Sequence, residues 1–142
     1  MSLPDRVGAI LANYDGEPPG VKTSLARMLM HGRTGGSGSL LILPVDQGVE
    51  HGPARSFASN PAAYDPHYLF NLAVDAGLSA FAAPLGLLAA GADRFAGTVP
   101  LILKVNNGNS LATERDQAVT ASVRDALALG CSAIGYTIYP GS

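Results

Sequence analysis

The sequence predicts an α/β fold: a (β/α)8 TIM barrel, of which this chain supplies about the first four βα units after an N-terminal helical extension. Three observations carry that prediction. Apolar runs of strand length recur at LLILPV (40–45), LSAFAAP (78–84), VPLILKV (99–105) and CSAIGYTIYP (131–140). Helix-period stretches separate them, and a β-α-β-α-β-α-β order implies a parallel sheet. The turn after the first run, DQGVEHGP, lacks the G-x-G-x-x-G of a doubly wound nucleotide-binding sheet, so a barrel fits better.

The elements follow in order. Asp5 to Tyr14 reads as a short helix with Pro4 near its start, and DGEPPG (15–20) as a turn. Val21 to His31 reads as a second helix, with Leu25, Met28 and Leu29 at i, i+3 and i+4. GRTGGSGS (32–39) is flexible by composition, which sets residues 1–39 apart from a barrel segment at 40–142. LLILPV is continuously apolar, as in a strand covered on both faces. Pro66 to Ala76 is helical, with Leu69, Leu72, Ala73 and Ala76 on one face and Gly77 as the stop. Leu85 to Phe95 is a weaker helix signal. Asp116 to Leu129 reads as a helix with Val119, Val123, Ala126 and Leu127 on one face and Gly130 at its end. The chain then stops in YPGS directly after a strand. A barrel needs about 250 residues. This reads as the first half of a longer protein whose C-terminal half is elsewhere; a half-barrel that dimerises to close is the alternative.

Composition narrows the partners. The 142 residues are 47% hydrophobic with a formal net charge of -2, enough for a packed core and without a basic stripe for nucleic acid. One cysteine, Cys131, forbids a disulfide framework and makes a reducing, cytoplasmic setting the default. The N-terminus has neither a signal peptide nor a membrane span.

In a parallel βα array, functional groups gather at the carboxyl ends of the strands. Those ends carry Asp46, Pro84, Lys104 and the Tyr136–Tyr139 stretch. Asp46 is equally a proton carrier at a strand mouth and a turn cap. Glu50 and His51 read either as a rigidifying acid–histidine pair or as support for the site, with His51 able to bind a hydroxyl or phosphate. Gln47 is placed to orient Asp46, and Gly48 to allow tight backbone geometry. Lys104 sits in an apolar strand, where desolvation would lower its pKa toward the neutral amine that imine chemistry needs. Within this chain it is the best imine candidate. Tyr136 and Tyr139 are placed on opposite sides of the strand, with core packing the favoured fate for both. Asn106, Asn107 and Gly108 form a polar rim loop or a plain turn. His31 and His67 have no ligand-like neighbours, and no metal site is expected.

LPVDQGVEHGP, NPAAYDPHYLFNLAVDAG, VPLILKVNN and LGCSAIGYTIYPGS, in this order, resemble the archaeal-type (DhnA-like) class I fructose-bisphosphate aldolases. The resemblance runs from Leu40 to Ser142. It implies a (β/α) barrel that cleaves fructose 1,6-bisphosphate reversibly through a lysine Schiff base, with no metal or other cofactor. Asp46 falls on the family's strand-one catalytic aspartate. The Schiff-base lysine and the proton-relay tyrosine are implied to lie beyond Ser142. Lys104 would then line the site, pairing with Asp46, tuning the true lysine or attracting substrate phosphate. Gln47, His51, Lys104 and Tyr136 are the expected substrate-binding or supporting residues. A phosphorylated sugar is the implied substrate, and a homo-oligomer the implied assembly. A related Schiff-base enzyme on another phosphorylated sugar, and a non-catalytic sugar-phosphate-binding fragment, are the competing readings.

Overall fold

The computed structural model describes residues 3–113 and 117–140. Its centre is a four-stranded parallel sheet of β1 (Ile42–Pro44), β2 (Ala80–Pro84), β3 (Leu101–Lys104) and β6 (Ala133–Gly135), paired in that order. Strands adjacent in the sheet are thus consecutive βα units, apart from a short antiparallel pair, β4 (Asn106–Asn107) with β5 (Ala118–Val119), inserted after β3.

The register separates two faces. Leu43, Phe81 and Leu101 align across one row, and Ala83, Leu103 and Ile134 across the next. On this face Phe81 and Leu103 are fully buried in the core that includes helices α3 (Pro66–Asp75) and α4 (Leu85–Gly91), while Ile134 at the end of the sheet is exposed. The alternate residues Pro44, Ala82, Ile102 and Ala133 share the opposite, inner face, and Pro84, Lys104 and Gly135 form the next row toward the strand ends. The period of two therefore puts Lys104 on the inner face at a carboxyl end.

Helix α3 starts where Asp65 accepts the backbone N–H of His67 and Pro66 occupies the first turn. Its buried face is Leu69, Phe70 and Ala73; Leu72, expected on that face, is exposed. Phe70 fills the place instead, edge-on to Phe81 at 4.8 Å between centroids and stacked on Phe95 at 4.9 Å. Gly91 of α4 lies against the Phe70 ring, where a Cβ would come within 2.4 Å of it. Gly91→Ala is expected to destabilise the protein by about 1–3 kcal/mol through overpacking, as read by chemical denaturation.

Several elements are shorter than the sequence suggests. The final helix, α5, runs only from Val123 to Ala128, because Ser122 and Asp125 close a capping box that fixes its start. Val119 is in β5, Val123 and Leu127 are exposed, and only Ala126 of the expected face is buried. Asp116, the expected first residue of that helix, lies outside the described residues. Two turns of 3-10 helix, Ala54–Phe57 and Pro61–Tyr64, fill a stretch without periodic signal.

Helices α1 (Asp5–Ala12) and α2 (Pro19–Leu29) enclose a small cluster of their own, Val7, Leu11 and Leu29. Residues 32–38, flexible by composition, are a run of hydrogen-bonded turns. They are pinned to the amino end of β2: the N–H of Arg33 donates to the carbonyl of Gly77, and the Thr34 hydroxyl meets the buried Ser79 hydroxyl at 2.9 Å. The extension therefore sits at the end of the sheet opposite Lys104.

Candidate active site at the carboxyl end of the sheet

Asp46 follows β1 directly. The backbone then turns back on itself: the N–H of Glu50 donates to the Asp46 carbonyl at 3.1 Å. Gly48, at φ 95°, permits that reversal, with the Phe57 ring 3.3 Å from where its Cβ would stand. The turn places the carboxylates of Asp46 and Glu50 on one side, facing β3.

Lys104 reaches both. Its Nζ donates to Asp46 Oδ2 at 2.9 Å and to Glu50 Oε2. The three side chains are 13% (Lys104), 18% (Asp46) and 5% (Glu50) exposed. Glu50 Oε1 accepts the Tyr139 hydroxyl at 2.6 Å and the Gln117 amide at 3.1 Å. Gln117 in turn accepts from Asn106 Nδ2 at 3.0 Å. Asn106 is fully buried and exchanges two bonds with the Thr137 backbone, both 2.8 Å, which ties the end of β6 to β4. His51 stands 3.5 Å from Asp46 on the open side.

The electrostatics follow from this geometry. Burial pushes the Glu50 carboxyl up, but the hydrogen bonds from Lys104 and Tyr139, the Lys104 charge and the Gln117 bond outweigh it, so Glu50 titrates below an ordinary glutamate's 4.5. Burial pushes the Lys104 amine down, yet its bonds to Glu50 and Asp46 and their charges hold it above an ordinary lysine's 10.5. The bond to Glu50 likewise raises the Tyr139 phenol. Of the two readings of Lys104, a neutral amine by desolvation or a cation paired with Asp46, the geometry favours the second: two carboxylates keep it an ammonium.

A stability prediction arises here. The Glu50 contribution is fully present above pH 4.5 and is lost as pH falls through its lower folded value. That of Lys104 is fully present below pH 10.5 and is lost as pH rises through its higher folded value. The gap in melting temperature between wild type and Glu50→Gln should thus be widest between these limits and close as the solution is acidified below 4.5.

Beside the cluster lies a cavity of about 230 Å³, floored by the inner-face residues Pro44, Ala82, Ile102 and Gly135 and rimmed by Asp46 and Lys104. Its floor is apolar and its rim charged, a form suited to a small polar molecule held at one end. Tyr136 also lines it and is 57% exposed, while Tyr139 is 46% exposed, so neither phenol is packed in a core as expected. Gln47 is exposed and makes no hydrogen bond to Asp46 among the described residues. The structure thus brings Asp46, His51, Lys104 and Tyr136 together and leaves Gln47 aside. It bears out Glu50 as part of the site, joins it to Lys104 and Tyr139, and adds Gln117, contacts that no motif spacing shows because only folding makes them. Among the described residues, no group of three His, Cys, Asp or Glu is placed to hold a metal ion. Burial pushes the Cys131 thiol up to about 11, so it is no nucleophile near neutral pH. No helix among the described residues is long and apolar enough to cross a membrane.

Comparison with known proteins gives the same picture. Residues 40–142 match the model of the DeoC/LacD family aldolases. Over its whole length the chain is 46% identical to the probable class 1 fructose-bisphosphate aldolase of Chlamydia muridarum, and it spans 42% of that protein. It is 45% identical over 106 residues to the class 1 fructose-bisphosphate aldolase of Thermoproteus tenax, with 74% of this chain covering 39% of that one. A solved Schiff base-forming fructose-1,6-bisphosphate aldolase superposes with a TM-score of 0.68 at 40% identity, covering 84% of this chain and 45% of its own. The fructose-bisphosphate aldolase of Slackia heliotrinireducens superposes with a TM-score of 0.72 at 23% identity, covering all of this chain and 44% of its own, a likeness of fold. The chain thus spans less than half the length of these relatives, and its sheet is a partial (β/α) barrel with the charged cluster at the carboxyl ends of its strands. On its fold, its inner-face site and the match over residues 40–142, the chain belongs to the DeoC/LacD family of aldolases.

Proposed function

We propose that this chain supplies the first four βα units of a class I fructose-bisphosphate aldolase, which cleaves fructose 1,6-bisphosphate reversibly to dihydroxyacetone phosphate and glyceraldehyde 3-phosphate. The observation that carries this reading is the Asp46–Lys104 pair at the strand mouths, beside a cavity with an apolar floor. Asp46 is the proton carrier: an ionised carboxylate at the cavity rim can take the proton of a substrate hydroxyl as the carbon–carbon bond breaks and return it in synthesis. Lys104 does not form the imine, because an amine bridging two carboxylates is protonated and lacks the free lone pair that attack on a carbonyl requires. As the resemblance implies, the Schiff base then forms on a lysine of the half that completes the barrel. Lys104 fixes the Asp46 carboxylate by a hydrogen bond and adds positive charge toward a phosphorylated substrate. His51, 3.5 Å from Asp46 and more than half exposed, is placed to meet a substrate hydroxyl or phosphate. Tyr136 on the cavity wall is a second polar contact.

The missing strands have a place to dock. β6 pairs only with β3 among the described residues, and Ile134, Tyr136 and Ile138 beside its edge are exposed. A free parallel edge flanked by apolar side chains is completed by further strands of the same barrel. The assembled enzyme is read as a cytoplasmic homo-oligomer acting in glycolysis and gluconeogenesis; the free, half-buried thiol of Cys131 suits a reducing compartment.

The test is a coupled assay of fructose 1,6-bisphosphate cleavage by the complete protein, with and without a chelator. The reading predicts turnover that the chelator leaves unchanged. Binding of the sugar bisphosphate without cleavage would instead favour a sugar-phosphate-binding module.

A further inference from the structure

Glu50 is not the proton carrier, yet it is the least exposed and most bonded side chain of the cluster. Lys104 Nζ, the Tyr139 hydroxyl and the Gln117 amide all end on it. They come from β3, from the segment after β6 and from the segment before β5, so one carboxylate gathers three parts of the rim. Gln117 is itself fixed by Asn106, which is fixed by Thr137. Neutralising a buried carboxylate takes one cation; this one also has two neutral donors.

The charge count gives the arrangement a purpose. A carboxylate paired alone with an ammonium is held firmly ionised and accepts a proton poorly. Here two carboxylates share one ammonium, so the group carries one net negative charge. The second anion offsets part of the cation's pull on the first. We infer that Glu50 is a positioning residue: it shares the Lys104 ammonium with Asp46, so that Asp46 can still take and return a proton, while Tyr139 and Gln117 hold Glu50 in place. This inference rests on the aldolase reading of the site. Among the described residues, the charged and titratable groups facing the cluster are Asp46, Glu50 and His51 from the turn after β1, Lys104 from β3, and Tyr139, with Tyr136 on the cavity wall.

Glu50→Gln keeps the side-chain volume and removes the charge. Two measurements on the complete protein test the inference: the pH profile of kcat/KM, and the pH at which the Lys104 amine begins to react with an acylating reagent, followed by peptide mass spectrometry. The lost anion should move the limb belonging to the cluster to lower pH by about one unit or more. It should lower kcat more than it changes KM, and it should bring the onset of Lys104 acylation to lower pH. Glu50→Asp, which keeps the charge, should retain the wild-type limb. An equal loss of activity at every pH, with the limb and the acylation onset unmoved, would overturn the inference and leave Glu50 a purely structural residue. If Glu50→Gln does not fold, a displaced limb in Glu50→Asp overturns it too. Should the wild type cleave no sugar phosphate, the aldolase reading falls by itself; the acylation onset then still decides whether Glu50 shares the ammonium.

Discussion

Asp46→Asn in the complete enzyme is expected to lower kcat by about 10²–10⁴-fold, the usual contribution of a positioned acid–base group. Asparagine keeps the shape of the side chain and can still accept from Lys104, whose Nζ lies 2.9 Å from Asp46 Oδ2. It cannot carry a proton. Most of the loss should therefore appear in kcat, with KM little changed, because an interaction with the moving proton is made in the transition state. The protein should remain folded: Lys104 keeps Glu50 as a partner, so no buried charge is left alone. If Asp46 were a turn cap and no more, the variant would retain its turnover and lose melting temperature instead.

The largest effect on stability is expected away from the site. Phe70→Ala should cost about 3–5 kcal/mol of unfolding free energy, measured by denaturant titration. The ring is fully buried and joins three elements: its own helix, β2 through Phe81, and the segment after α4 through Phe95. Gly91 closes the remaining side. A close-packed interior relaxes only in part around a deleted ring, so a cavity should persist. Leu72→Ala, two residues on in the same helix, should change stability far less, since Leu72 is exposed. The contrast separates the packing of Phe70 from any general weakening of the helix.

The inner-face site was partly legible in the sequence, and the reason is local. Asp46 and His51 lie five residues apart in a single turn, so a motif can show them together. Lys104 stands out as a cation inside an apolar strand. Glu50 was visible too, but its partner was not. Beside His51 it reads as half of an acid–histidine pair, whereas its nearest cation, Lys104, lies 54 residues away. Gln117 and Tyr139 reach the cluster over 67 and 89 residues, and no periodicity marks such contacts. The strand positions were legible because apolar runs and parallel connections constrain one another. Helix α5 starts later than its spacing suggests: Val119 continues the Val123–Leu127 period backward but lies in β5, while the Ser122–Asp125 capping box, also present in the sequence, sets the true boundary. Lys104 shows the limit of reasoning from burial alone. Desolvation does act on it, but two carboxylates reverse the net result.

The central claim is that this half of the barrel supplies the proton carrier and a charged lysine, and that the imine forms elsewhere. Borohydride trapping of the complete protein with dihydroxyacetone phosphate, followed by peptide mass spectrometry, tests it most directly. The account predicts a reduced adduct on a lysine outside residues 1–142, with Lys22 and Lys104 unmodified. An adduct on Lys104 would contradict it, because an amine bridging Asp46 and Glu50 would then have become the nucleophile.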